Sequence, residues 1–428
     1  CLKEAIRVVK EPSDDKESIS SFQALMVSTA SRVGTGNIAG ISTAICIGGA
    51  GAMFWMWLVA ILGSASAFIE STLAQIYKRK AADGSSYGGP AYYIQAVLKK
   101  RWLGILFAGT LIVTYMGGFN MVAAFNIADS FRAYSFYDPS TTPLIIGAVL
   151  AAAFAVCIFG GSKQISKITG VLVPVMGIFY ILVSLVIIVT HLNLVPQMFA
   201  DIFTQAFDFK AIFGGFTGSA IMQGIKRGLF SNEAGVGSAP NAAASAGVSH
   251  PVKQGLVQML SVYIDTIVIC SATAFMLLCS GIEPSTDLQG MPYVQAAVAN
   301  TLGSFGTIFI TIALVLFAFT TLIGNFYYAE MGLGYICDKT PNKALLMVFR
   351  LAAALIVCFG ATMEFSVAWN TADVLMGLMA IINLPVILIL GGPAVRCMND
   401  YLKQKKEGKN PVFKAKDIDL ETKTDFWN

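Results

Sequence analysis

Long apolar runs separated by short polar segments fill most of this 428-residue chain. Runs of about 20 residues or more are long enough to cross a bilayer as helices rather than as barrel strands. Hydrophobic residues make up 56% of the chain and charged residues 13%, about half the usual share in soluble domains. We predict an all-α integral membrane protein with about ten spanning helices, at 21–49, 53–77, 103–131, 143–160, 167–191, 211–247, 254–281, 304–336, 344–363 and 366–391.

The lysines and arginines are unevenly distributed between the two sets of loops. They crowd the segment before the first helix, the loop after the second and the tail from Arg396, whereas the opposite loops hold only Arg132 and Lys210. Positive residues stay on the cytoplasmic side, so we expect both ends to be cytoplasmic. Because the net charge of +4 sits in loops, it gives no argument for nucleic acid as a partner.

The first apolar run contains Arg32-Val33-Gly34-Thr35-Gly36-Asn37-Ile38-Ala39-Gly40, which is poor helix interior. Backbone groups in hydrocarbon need partners, so a broken helix survives there only where it lines a cavity or binds a ligand. Its half-helix ends offer N–H groups to an anion and carbonyls to a cation, which suits an amino acid carboxylate and a sodium ion. The alternative is simple packing, because small residues four apart also form a contact face between membrane helices.

A second Gly-x-Gly at Gly235 and Gly237 favours the ligand site over the packing face. The same 17 positions separate Gly36 from Met53 and Gly237 from Gln254. Related stretches follow helices two and seven, Gly-Pro-Ala-Tyr at 89–92 and Gly-Met-Pro-Tyr at 290–293. By the charge distribution, helix one starts inside and helix six outside. We therefore predict a 5+5 inverted repeat with broken first and sixth helices, the arrangement that places a transporter site at the midplane.

Three stretches, 33–40, 88–93 and 227–240, resemble the alanine or glycine:cation symporters, sodium-coupled amino acid carriers with the LeuT-type fold. The resemblance runs from about Phe22 to Gly392 and rests above all on Asn-Glu-Ala-Gly-Val-Gly-Ser-Ala-Pro at 232–240. It implies a bacterial or archaeal plasma membrane protein with a further helix ahead of residue 1. The expected units are a cytoplasmic segment 1–21, repeats 22–191 and 211–392, and a cytoplasmic tail 393–428. Within this tail, the basic run from Arg396 to Lys416 should be solvated and touch anionic lipid.

The resemblance also implies where a substrate lies. Its carboxylate should meet the N–H groups of Gly34, Thr35 and Gly36. Its amine should meet the end of the first half of helix six. The residues expected there are Phe230, Ser231 and Asn232, with Gly235 and Asn325 as further substrate-binding positions.

Sodium, the implied co-transported ion, should bind between helices one and eight. The expected ligands are the carbonyls of Ala30, Val33 and Phe317 and the hydroxyls of Thr320 and Thr321, with Asn37 at a second cation site. Phe317, Thr320 and Thr321 share one helical face, although threonine hydroxyls also bond back to the preceding turn. Arg32 and Glu233, each two residues before its Gly-x-Gly, are expected to pair or to gate the site.

Further candidates are weaker. Glu70, Asp265 and Glu330 are either coupling groups or structural ion-pair members, and Trp369, Asn370 and 117–121 are pocket candidates. Asn325 stands where relatives often carry an aromatic residue, which leaves glutamine or serine open as an alternative to alanine or glycine. Proton coupling also stays open.

Two other classes of protein fit the sequence less well. An intramembrane enzyme would need a nucleophile with a base or a metal cluster, and neither the two histidines nor the eight scattered cysteines supply one. A channel would tend to show polar rings or a filter along its pore. A saturable carrier of a small neutral amino acid is the better interpretation.

Overall fold

The computed structural model describes residues 2–13, 17–208, 215, 218–338, 341–420 and 422–427, with only the backbone given for 162 and 163. The described chain is almost entirely helical. Its α-helices are α1 (Leu2–Val9), α2 (Ser21–Arg32), α3 (Ile41–Gly48), α4 (Ala52–Ile76), α5 (Pro90–Leu98), α6 (Arg101–Ile112), α7 (Asn120–Asp129), α8 (Thr142–Ile158), α9 (Gly161–Thr190), α10 (Val195–Ala206), α11 (Ala220–Asn232), α12 (Ala239–Ala244), α13 (Pro251–Val262), α14 (Ser271–Leu278), α15 (Met291–Cys337), α16 (Lys343–Gly360) and α17 (Phe365–Lys406).

Short elements complete the fold. Strands β1 (Arg79–Lys80) and β2 (Ser86–Tyr87) form an antiparallel pair in which Arg79 faces Tyr87. Among the elements given for the described residues, three π-helical segments continue neighbouring α-helices, and three 3₁₀ turns lie in loops or at helix ends. They are the π segments Gly36–Gly40, Val113–Phe119 and Tyr263–Cys270 and the 3₁₀ turns Ser130–Ala133, Thr286–Leu288 and Ala415–Ile418.

Seven helical segments in the described part of the chain are long and apolar enough to cross a membrane. They are Ala52–Ile76, Arg101–Ala133, Gln164–Thr190, Pro251–Leu278, Met291–Cys337, Lys343–Gly360 and Phe365–Lys406. Of the ten predicted spans, the first and sixth are interrupted and the fourth, α8, has only 17 residues. Large apolar side chains such as Val156, Leu355 and Leu388 are exposed, as on a surface that faces lipid. Residues 211–214 and 216–217 of the predicted sixth span lie outside the described residues.

Both predicted helix breaks are present. Helix α2 starts with a capping box, in which Ser20 and Gln23 bond each other's backbone N–H, and it ends at Arg32 because Val33 is extended. Helix α11 ends at Asn232, where Glu233 takes the left-handed conformation with a φ of 52°. Gly235 and Gly237, with φ of 81° and 95°, then turn the chain into α12. Only glycine adopts such angles without strain, which explains the second Gly-x-Gly.

Some segments predicted as loops are helical. Helix α5 follows the β1–β2 hairpin, and α10 occupies most of the predicted loop 192–210. The signal for α10 is short: Met198, Ile202 and Ala206 recur every four residues and are its buried face. Helix α17 also continues to Lys406, well beyond the predicted end at 391.

The tail after α17 is packed against the protein, so the prediction of a solvated tail is wrong. Phe413 and Trp427 are buried, and the Trp427 indole N–H donates to the carbonyl of Gln75 at 2.8 Å. Asp425 forms an ion pair with Arg79 at 3.1 Å. The two aromatic residues are too far apart in sequence, and too isolated, for a hydrophobic pattern to reveal that their rings pack against each other and against His250 and the end of α4.

Beside this tail, His250 is expected to make stability depend on pH. Its imidazole is buried against Tyr401 and Phe413, and burial lowers the pKa of His250 to about 4, although Asp400 at 3.1 Å opposes the shift. The unfolded state takes up a proton near pH 6.5 and the folded state does not, so stability should be full above pH 6.5 and fall toward pH 4. Thermal unfolding at pH 7.5 and 5 should show a larger drop in Tm for the parent than for His250→Asn. Equal drops would contradict this role.

The candidate binding site at the two helix breaks

A small cavity lies between the two breaks, where the ends of α2 and α11 meet the π segment after Val113 and helix α15. Its free space is about 10 Å³, enough for about one water molecule, so an amino acid enters only if side chains move apart. The lining residues are Ser31, Arg32, Gly34, Thr35, Gly36, Phe119, Phe230, Glu233 and Thr321. All of these except Ser31 are predicted site, gate or pocket residues.

The Gly34 amide, predicted to meet the substrate carboxylate, has a hydrogen-bond partner within the protein. Its N–H donates to Asn37 Oδ1 at 2.8 Å, so the side chain of Asn37 closes the start of the second half-helix. Thr35 and Gly36 remain at the cavity, in a first helical turn whose N–H groups lack intrahelical partners. Gly36 also contacts α11 closely, since a Cβ there would lie 3.0 Å from the Phe230 ring.

Asp265 connects the two breaks, a role that the sequence did not reveal. It lies on the π segment Tyr263–Cys270 and accepts from Asn37 Nδ2 at 2.7 Å, from Ser231 Oγ at 2.8 Å and from Thr266 Oγ1 at 2.9 Å. Asn37 belongs to the first break and Ser231 to the second, and all of these groups are buried. The predicted second cation position, Asn37, therefore has a carboxylate as its nearest side-chain partner.

The predicted sodium ligands from helices one and eight are brought together. The Thr321 hydroxyl lies 3.1 Å from the carbonyl oxygen of Ala30 and 3.0 Å from that of Phe317. The Thr320 hydroxyl bonds the same Phe317 carbonyl at 2.9 Å and touches Met176 Sδ of α9. Both hydroxyls thus make the back-bonds to the preceding turn that the sequence left as an alternative. The Val33 N–H donates to the carbonyl of Thr29 and closes the last turn of α2.

Arg32 and Glu233 border one cavity but form no ion pair within 4.0 Å in the described part of the chain, contrary to the expected direct pairing. Glu233 accepts instead from Ser31 Oγ at 3.0 Å and Ser238 Oγ at 2.6 Å. The Arg32 guanidinium reaches only Gln258, at 3.4 Å. The two residues lie on different half-helices, and the cavity separates their side chains.

Two predicted substrate positions on the second break are not among the residues that line the cavity. Asn232 caps the turn that follows it, since its Oδ1 accepts from Ala234 N at 3.0 Å. Gly235 donates its N–H to Glu70 at 3.3 Å, while its carbonyl accepts from Asn383. The positive φ of Gly235, rather than contact with a ligand, accounts for the glycine.

Asn325 likewise stands behind the cavity wall. Its Oδ1 accepts from Ser31 Oγ at 2.7 Å, and its Nδ2 donates to Asn120 at 3.0 Å. Because both ends of the amide are occupied by protein groups, the side chain supports Ser31 and does not line the cavity.

An aromatic and ionic layer covers one side of the cavity, and sequence reasoning missed its charged part. The Phe230 ring lies 4.6 Å from that of Phe119 and 4.9 Å from that of Trp369. The buried Arg227 guanidinium stacks on Trp369 at 4.6 Å and pairs with Asp373 of α17. The sequence did contain a signal for this ion pair, because each of two apolar helices carries a charged residue. A charged side chain inside a membrane needs a partner.

Of the remaining candidate residues, some lie at the cavity and others do not. Phe119 lines the cavity and Trp369 packs behind it, whereas Asn370 is exposed and does not belong to the site. Glu330 pairs with Arg350 at 2.9 Å, which matches the structural alternative. Among the described residues, no group of three His, Cys, Asp or Glu side chains is placed to hold a metal ion.

A second, larger cavity of about 1000 Å³ lies on the side of the basic loops. Its walls include the entry to α2 at Ser18 and Ile19, the β1–β2 hairpin, the start of α9 and the end of α15 with Tyr327 and Tyr335. It is large enough for a hydrated amino acid.

The fold is that of a membrane transporter. A mutant of the manganese transporter of Eremococcus coleocola superposes with a TM-score of 0.59 over 91% of this chain and 81% of that one, at 12% identity. The chain belongs to the sodium:alanine symporter family, whose model matches residues 1–415. It is therefore a multi-pass membrane transporter of amino acids, with sodium as the co-transported ion.

Relatives that match most of the chain are named for different substrates. The probable sodium/glutamine symporter GlnT of Bacillus subtilis is 45% identical over 415 residues, 96% of this chain and 85% of the relative. The amino-acid carrier protein AlsT of the same species is 45% identical over 97% of this chain and 87% of its own length. The sodium/alanine symporter AgcS of Methanococcus maripaludis is 41% identical over 92% and 86%.

Proposed function

We propose that the protein imports alanine or glycine together with sodium by alternating access. The observation that carries this proposal is the group of oxygens at the first break. The Thr321 hydroxyl, which borders the cavity, lies 3.1 Å from the carbonyl oxygen of Ala30 and 3.0 Å from that of Phe317. Hard oxygen ligands on two helices suit a hard cation, and rotation of the two threonine hydroxyls would free their lone pairs for it.

A second cation is proposed at Asp265. Its carboxylate, the Ser231 hydroxyl and the Asn37 amide form a fully buried polar group that belongs to both breaks at once. A cation held there would link the two half-helix ends, and it would offset the cost of a buried carboxylate that has no ion-pair partner in the described chain.

A small side chain on the substrate is supported by the shape of the site. Phe119 and Phe230 leave little room, and Asn325 is occupied by Ser31 and Asn120. The amine would meet carbonyls at the end of α11, where Phe230, Ser231 and Asn232 lack intrahelical partners. The similarity to GlnT makes glutamine the alternative, and serine is a third candidate.

The proposed architecture has ten spans in two inverted five-helix repeats, 22–191 and 211–392, with both ends cytoplasmic. The presence of both breaks at pseudo-equivalent places supports it. In this orientation the cavity of about 1000 Å³ opens to the cytoplasm and provides the exit route for substrate and sodium.

The test is uptake of labelled alanine, glycine, serine and glutamine into proteoliposomes with and without an inward sodium gradient. Alanine or glycine should accumulate only with sodium, and Thr321→Val should raise the sodium half-saturation at least about tenfold through loss of a ligand. Thr110→Val is the matched control, because that hydroxyl also bonds back to a carbonyl, Phe107, on a distant helix. Uptake driven by a proton gradient without sodium would refute the Thr321 site, and a clear preference for glutamine would replace the substrate.

The gate proposed here is the ion pair between Arg227 and Asp373 rather than a contact of Arg32 with Glu233. Loss of either partner leaves a buried charge, so Arg227→Ala and Asp373→Ala should each lower uptake about tenfold or more. The exchanged double variant, Arg227→Asp with Asp373→Arg, should recover part of the loss. Lys226→Ala is the control, since that lysine is partly exposed although it also reaches Asp373 at 3.0 Å. No recovery by the exchange would argue against a direct gate.

A further inference from the structure

Arg32 is a buried guanidinium with most of its hydrogen-bonding capacity unused. The residue is 2% exposed, and among the described residues Nη1 makes only long contacts with Gln258 while neither Nε nor Nη2 has a hydrogen-bond partner. Buried charges in proteins are normally paired, and donors left without partners are costly. Because the side chain borders the cavity, a ligand bound in that cavity can supply the missing hydrogen-bond acceptor.

Glu233 shows the same feature with opposite charge. It is 1% exposed and accepts from the hydroxyls of Ser31 and Ser238, with the Tyr115 hydroxyl also nearby and no lysine or arginine nitrogen within 4.0 Å in the described chain. Ser31 has a single proton and lies between Glu233 at 3.0 Å and Asn325 at 2.7 Å, so it satisfies one of the two acceptors at a time. The left-handed backbone at Glu233, unusual for a residue with a side chain, holds this carboxylate at the break.

The two charges face one cavity from opposite half-helices. A ligand between them needs an anionic group toward Arg32 and a cationic group toward Glu233. Thr35 and Gly36, whose amides belong to the first turn of a half-helix, also line the cavity and add donors for an anionic group. An α-amino acid zwitterion carries both charges on one carbon, so it matches this arrangement, while a simple anion or cation would leave one residue uncompensated.

We propose that Arg32 and Glu233 bind the two charged groups of the substrate. The Arg32 guanidinium donates to the carboxylate together with the Thr35 and Gly36 amides, and the Glu233 carboxylate accepts from the ammonium group. This inference rests on the proposed amino acid transport. It also explains why two opposite charges border one cavity without pairing: direct contact would close the space that the substrate occupies.

The experiment measures competition against labelled alanine binding to the purified full chain in sodium, with three competitors. Alanine has both charges, alaninamide lacks the carboxylate and lactate lacks the ammonium. Glu233→Gln should weaken alanine about tenfold or more and leave lactate nearly unchanged, whereas Arg32→Gln should weaken alanine and leave alaninamide nearly unchanged. Glu70→Gln is the matched control, a buried carboxylate outside the cavity, for which any loss should be parallel for all three competitors.

The possible results separate the inference from the proposed function. No sodium-dependent binding of alanine by the parent protein would refute the proposed function itself. Parent binding with parallel losses for all competitors in Glu233→Gln and Arg32→Gln, or no loss at all, would overturn only the inference. If either variant fails to fold, the parent still decides: lactate or alaninamide competing as well as alanine would exclude charge recognition. Glu233→Asp and Arg32→Lys, which keep the charges, should retain more alanine binding than the glutamine variants.

Discussion

Replacement of Gly34 by alanine is expected to reduce sodium-coupled uptake by at least about thirtyfold. A Cβ at this position would overlap Thr321 Oγ1, the hydroxyl that joins helices one and eight at the proposed sodium site. Overpacking of this kind typically costs about 1–3 kcal/mol, and here the displaced atom is itself a ligand. The measurement is initial uptake of labelled alanine as a function of sodium.

Gly109→Ala provides the control for Gly34→Ala. Gly109 lies in α6 with no other atom within 4 Å of an added Cβ, so the substitution should leave uptake within about twofold and favour the helix slightly. The double variant Gly34→Ala with Thr321→Ala makes space but removes the hydroxyl. It should therefore regain stability without regaining sodium dependence. Uptake by Gly34→Ala within twofold of the parent would show that the two helices do not need this close approach.

Loss of the Asp265 carboxylate should be similarly severe. Asp265→Ala leaves Asn37 Nδ2 without its nearest partner and removes the acceptor of Ser231, so both breaks lose a fixed point. Hydrogen bonds to a charged group contribute about 1.5–3 kcal/mol each. We expect uptake to fall more than tenfold and the sodium half-saturation to rise by a similar factor.

Asp265→Asn distinguishes a cation ligand from a structural acceptor. The amide keeps the size and one acceptor but loses the charge. If Asp265 binds a cation, Asp265→Asn should therefore lose nearly as much uptake as Asp265→Ala. Uptake near that of the parent would leave Asp265 with only a structural role. Asp129→Asn is the matched control, because Asp129 is a buried carboxylate that pairs with Arg132 at another end of the bundle. Its effect on sodium half-saturation should be small.

The contacts that the sequence left open are mostly between the two halves of the chain. Asn37 with Asp265, Ser31 with Asn325 and Thr321 with Ala30 join residues more than 220 positions apart. A local pattern indicates which face of a helix is polar, but the partner of that face depends on how helices cross. This is why the Gly34 amide was assigned to a substrate, although Asn37, only three residues away, already accepts from it.

The sequence by itself determined the membrane class, the helical character and both breaks, because apolar length, charged loops and paired glycines act locally. It also brought Thr320, Thr321 and Phe317 onto one face through helical spacing. Only the tertiary structure decided which charges pair. It separated Arg32 from Glu233 by a cavity, joined Arg227 to Asp373 and buried Trp427 of the tail. The physical reason is that the sequence shows which charges and rings lie in apolar surroundings and need a partner, whereas the packing of the helices determines which residue that partner is.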